Sequence, residues 1–93
     1  MAQFTVRVEL HDADGDDYDT LHAAMKNEGF SRFIKSDGGS KYHLPTAEYT
    51  REGELTRKQV LDSAKSAAAE TGKEAGILVT ESNGRSWSGL DKA

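Results

Sequence analysis

Apolar and polar residues alternate without exception from Phe4 to His11. Phe4, Val6, Val8 and Leu10 fall on one side, and Thr5, Arg7, Glu9 and His11 on the other. A period of two is the pattern of a strand with one buried face, and it predicts a strand over 3–10. The period then lengthens. Tyr18, Leu21, His22 and Met25 are spaced i, i+3, i+4, i+7, one face of a helix, which predicts a helix over 16–28. Asp16 or Asp17 is placed to cap its first amides, and Gly29 is the natural residue just past its end. Phe30–Lys35 reads as a second strand and Asp37-Gly38-Gly39-Ser40 as a turn. Lys41–Leu44 then starts a third strand that continues through Ala47-Glu48-Tyr49. Pro45 cannot donate to a ladder, so that strand is expected to break or bulge there.

The second helix carries the clearest local signals. Thr56 at the N-cap and Gln59 three residues later form a capping box, and Leu55 and Val60 flank it as a hydrophobic staple. Val60, Leu61, Ala64, Ala67 and Ala68 give a narrow apolar face of mostly small residues, and Gly72 closes the helix. Gly76–Thr80 is the last strong strand. Asn83-Gly84 is a hairpin turn signal, after which Arg85–Ser88 folds back as a short strand or covers an edge. Trp87 seals one end of the core or docks against a second copy, and Asp91-Lys92-Ala93 are expected to fray. The order strand, helix, strand, strand, helix, strand is that of a ferredoxin-like split βαβ unit. It predicts an α+β sandwich over a single domain, 1–93: an antiparallel four-stranded sheet with two helices on one face. The other face would carry Thr5, Arg7, Glu9 and His11.

Composition narrows the chemistry. The chain has 93 residues and no cysteine, which excludes disulfides, thiolate metal sites and a cysteine nucleophile. Charged residues make up 30% and no apolar run is long enough to span a bilayer, so a cytoplasmic protein without a membrane partner is expected. Nor do the opening residues read as a secretory signal. The net charge of -4 is local in origin, because five Asp lie between His11 and Asp19. Setting them aside turns the balance slightly positive, so an anionic partner is not forbidden. The same Asp cluster fails as a calcium loop: with Asp12 at position one, Asp17 replaces the required Gly and Ala23 the bidentate Glu. Helix capping and solvation explain it better, and neither a metal site nor a cofactor is expected.

Three groups of residues are candidates for function. His11, beside Asp12, is a general-base candidate, against the plainer reading of an exposed residue at a strand end. His22 reads as a packed, hydrogen-bonded residue rather than a ligand, whereas His43 can reach the open face with His11. Arg32, Phe33, Lys35, Lys41 and Tyr42 mix cations with aromatics, as single-stranded nucleic-acid sites do, although Lys41–Pro45 does not match the RNP1 motif of an RRM domain. The alternative is a solvated surface over core aromatics. No nucleophile elbow, Walker loop or Rossmann loop is present.

Larger stretches carry a resemblance. Val6–His11, Asp17-Tyr18, Leu21-His22, Ala24-Met25 and Gly29-Phe30-Ser31-Arg32 resemble the GhoS family of small bacterial proteins, as do Leu44–Tyr49, Thr56-Arg57, Ile77–Glu81 and Gly84-Arg85. The resemblance implies a ferredoxin-like fold. It also implies an endoribonuclease antitoxin of a type V toxin–antitoxin system, which cleaves the toxin's messenger RNA. On that expectation His11 and Arg32 are the catalytic candidates, as base and phosphate-holding cation, and Arg7, Lys35, Lys41 and Arg85 contact RNA. Arg32 reads equally well as a residue that closes the helix-to-strand turn. The competing expectation is a non-catalytic homodimeric binding or interaction protein.

Overall fold

A computed structural model describes residues 2–93. The chain folds as β1 (Ala2–Leu10), α1 (Gly15–Asn27), β2 (Phe33–Lys35), β3 (Lys41–His43), β4 (Glu48–Gly53), α2 (Arg57–Ala69) and β5 (Ala75–Ser82). It is a mixed α+β structure with two helices and antiparallel sheets. β1 lies at the centre of a three-stranded sheet in the order β4-β1-β5, and β2 and β3 form a separate hairpin.

The alternation in β1 becomes its burial pattern. Phe4, Val6, Val8 and Leu10 are buried while Gln3, Arg7 and Glu9 are exposed. The buried set joins Leu21, Ala24 and Met25 of α1, Tyr49 of β4, and Val60, Ala64, Ala67 and Ala68 of α2 in one cluster. Both helices therefore cover the same side of β1. Each fully buried Val, Leu or Phe in that cluster contributes roughly 1.5–3 kcal/mol. The alanines of α2 add little area but let the helix sit close to the sheet.

Both helix starts are capping boxes. In α2, Thr56 accepts from the Gln59 amide at 3.1 Å and Gln59 accepts from the Thr56 amide at 2.8 Å, as its sequence predicts. In α1 the cap is Asp14, two residues earlier than expected, with Asp17 reciprocating. Asp16 and Asp17 fall in the first turn instead, where they oppose the positive end of the helix dipole. Asp14, Asp16 and Asp17 of the cluster are thereby accounted for, and the described residues hold no group of acids or histidines arranged for a metal.

The expected four-stranded sheet is divided three and two. A single bridge links the parts: the Ser31 amide donates to the Thr50 carbonyl at 2.9 Å and the Thr50 amide to the Ser31 carbonyl at 2.8 Å. One residue later the Arg32 carbonyl accepts from Leu44 instead, and β2 pairs onward with β3. The Thr50 hydroxyl donates to the Phe33 carbonyl at 2.8 Å and holds the departing strand. The break expected at Pro45 accompanies this. β3 ends at His43 and β4 begins at Glu48, with Ala47 in the left-handed region at φ 73°.

The C-terminal tail does not fray. Tyr42 bridges Lys92, the His43 amide donates to the Asp91 carbonyl, and the Ala93 amide donates to the Lys41 carbonyl. Hairpin β2-β3 leaves one edge of β3 unpaired, and the tail satisfies its backbone groups. Trp87 docks edge-on against Tyr42 with ring centroids 5.7 Å apart. Residues 84–88 form no regular strand.

Candidate nucleic-acid interface

The hairpin, the end of β4 and the return segment 84–87 enclose a groove of about 820 Å³. Its lining includes the cations Lys35, Lys41, Arg51 and Arg85, the aromatics Phe33 and Trp87, and only two acids, Asp37 and Glu52. Such a lining arises from pairing. Phe33 stands opposite His43 and Lys35 opposite Lys41, so all four side chains share one face of the hairpin. Phe33 has His43 at a centroid distance of 5.0 Å and the Lys41 ammonium 5.2 Å from its own centroid.

The charges are poorly compensated within the protein. Like charges directly opposite on neighbouring strands repel, and Lys35 and Lys41 are so placed. The ion pairs among the described residues are Arg7–Glu9, Lys58–Asp62 and Lys73–Asp17, and none includes a cation of the groove. Arg51 donates to the Gly29 carbonyl at 3.3 Å. Gly29 has φ +92°, a left-handed backbone that favours glycine, and a side chain there would also have to displace the Arg51 guanidinium, 2.5 Å from the Cβ position. Arg85 donates one guanidinium nitrogen to Gln3 Oε1 at 3.0 Å, while its Nη1 is buried without a partner. A buried donor left unpaired costs about 1–3 kcal/mol, more when charged.

The residues singled out in the sequence go to four places. Lys35, Lys41 and Arg85 come together in the groove. Arg7 does not line it; it is exposed on the open face beside Glu9, at 4.0 Å. His11 is exposed just past the end of β1, where its amide donates to the Glu74 carbonyl. Arg32 is exposed next to Ser31, whose partner Thr50 stands opposite Thr5. His11 is six residues beyond Thr5 on β1, roughly 20 Å along the strand. His11 and Arg32 are thus not brought together. The sequence pattern carries this strand only to Tyr49 and gives no signal for Arg51, which β4 extends to include.

Arg32 has a different neighbourhood. His22 Nδ1 and Tyr49 Oη are 2.6 Å apart, and Tyr18 lies beyond the imidazole at a centroid distance of 6.5 Å. Burial, and next the Arg32 charge, hold the His22 pKa below its ordinary value, against a smaller opposing pull from Asp19. Burial pushes the Tyr49 phenol up to about 12, with Arg32 opposing and Tyr18 reinforcing. At neutral pH the imidazole is therefore uncharged and the phenol keeps its proton. The packed, hydrogen-bonded reading of His22 agrees with this geometry. No protein-family model and no curated protein matches the chain.

Proposed function

We propose that this protein is a ferredoxin-like domain that binds single-stranded RNA in the groove beside its hairpin. The hairpin is the outer part of the sheet, peeled away after the Ser31–Thr50 bridge. The observation that carries the reading is the set of four cations without ion-pair partners beside Phe33 and Trp87, with Arg85 Nη1 buried and unsatisfied. Basic grooves track phosphates, and exposed rings stack bases at about 1–3 kcal/mol each. The GhoS resemblance makes a toxin messenger the natural target and an antitoxin the natural role.

Anisotropy of a labelled single-stranded RNA titrated with protein tests this. If the four cations neutralise four phosphates, affinity falls roughly 50-fold between 50 and 200 mM salt. Arg85→Ala and Phe33→Ala should each weaken binding by about tenfold or more, and Arg7→Ala should leave it nearly unchanged. Equal affinity for RNA in wild type and Arg85→Ala would count decisively against the groove.

A second reading, endoribonuclease activity, rests on the His22 imidazole, 2.6 Å from Tyr49 Oη and held neutral by burial and, next, by the Arg32 charge. Metal-free RNA cleavage needs a base for the 2′-hydroxyl proton, a cation for the developing charge, and a proton, from water or the protonated base, for the departing 5′-oxygen. On this reading purified protein cleaves RNA, Arg32→Ala and His22→Gln abolish cleavage, and His11→Ala keeps it. Equal cleavage by all preparations would identify a contaminant.

A further inference from the structure

β5 is the outermost strand of its sheet, and among the described residues it pairs with β1 alone. Two hydrogen bonds determine which of its backbone groups are free. The Val8 amide donates toward β4, to Ala47, and the His11 amide donates toward the β5 side, to Glu74. In an antiparallel ladder, alternate residues direct their backbone groups to opposite neighbours. Odd-numbered residues of β1 therefore face β5, and the register Thr5↔Thr80, Arg7↔Leu78 and Glu9↔Gly76 turns those three β5 residues inward. Ala75, Ile77, Val79 and Glu81 are left with amides and carbonyls on the outer edge. Protein edges are commonly guarded by Lys, Pro or a bulge. β5 has no Lys, Arg or Pro, and Leu78 on its open face is 65% exposed.

We propose that β5 pairs with β5 of a second copy, antiparallel, about a twofold axis through Leu78. Only this register satisfies all four free edge residues symmetrically: Ile77 opposite Val79 and Ala75 opposite Glu81, each twice. Leu78 then meets its own copy in a non-hydrogen-bonded pair, where side chains approach most closely. The one charge in the strand, Glu81, faces an alanine and not another carboxylate. A second observation agrees. On the helix side a hollow of about 530 Å³ is lined by Leu61, Val79 and the start of α2, including Thr56 and Lys58. Ile77 of the copy, opposite Val79, is placed to enter it. Such an interface is isologous and closes at two chains. It lies on the opposite edge from β4 and the hairpin, so it does not depend on the RNA reading.

The absence of native cysteine makes the register directly testable. In the proposed pairing the two Leu78 Cα atoms are about 4.5 Å apart, within disulfide reach. L78C should therefore form a linked dimer under mild oxidation. T80C should not, because Thr80 faces Gly76 and the two Thr80 positions are offset by roughly 13 Å. Sedimentation should show the wild-type mass rising from one chain to two between about 1 µM and 1 mM. L78K should remain a single chain with an unchanged circular dichroism spectrum. V79P gives a second break, since its missing amide is one that points away from β1. A wild type of single-chain mass at every concentration would overturn the proposal, as would L78K associating like wild type. Faster cross-linking of T80C than of L78C would overturn the register.

Discussion

The layered part of the molecule and its hairpin lobe are built on different terms. Around β1, Phe4, Val6 and Val8 are fully buried, and the helices bring Leu21, Met25, Val60 and Ala64 to meet them. In the lobe, Phe33, Tyr42 and Trp87 are only half-buried, and Lys35 and Lys41 stand side by side with no carboxylate paired to either. The first region places groups where stability is gained. The second holds like charges side by side, where stability is lost. That contrast supports the proposed interface more firmly than any single residue does.

The sharpest way to break the comparison is through the core. Phe4→Ala should destabilise by about 3–5 kcal/mol in urea unfolding, because the cavity lies between sheet and helices. Trp87→Ala should cost about 1–2 kcal/mol, since one partly exposed ring contact is lost. If the two losses were equal, the lobe would be as integral to the fold as the layers. Acid tests the boundary between the regions. The folded state depresses the His22 pKa, so the unfolded chain binds the proton more readily. This contribution is fully present above the unfolded value of about 6.5 and is lost as pH falls through the folded one. The melting temperature should decline from pH 7 to 5, and more gently in His22→Gln. The smallest effect belongs to the groove. Lys35→Glu should change stability by under about 1 kcal/mol, upward at low salt, while weakening RNA binding.

Legibility in the sequence follows the same division. β1, both helices and the Thr56 capping box can be read from spacing, because each is decided by residues within one or two turns of one another. The break at Pro45 is legible for the same reason, since a missing amide acts where it stands. Asp14 rather than Asp16 or Asp17 as the cap is a shift of two residues within a run of equally suitable acids. The division of the sheet was not legible. It depends on Thr50 holding both Ser31 and the Phe33 carbonyl, and those contacts span 17 to 19 residues.

Among the candidate residues, adjacency in function did not follow from adjacency in character. His11 and Arg32 each suit one half of a cleavage reaction, yet β1 carries His11 roughly 17 Å beyond the level of Arg32. Lys35, Lys41 and Arg85 converge, and Arg51 joins them, because the hairpin closes on itself and the chain after β5 crosses back to Gln3. Sequence alone determined where β1 and the two helices lie, which face of β1 is apolar, and that no thiol chemistry is available, since these depend on local spacing and residue type. Tertiary structure alone decided which cations share a groove, that the last three residues pair instead of fraying, and which edge of the sheet stays open. Those outcomes rest on hydrogen bonds between residues far apart in the chain, whose partners no local pattern specifies.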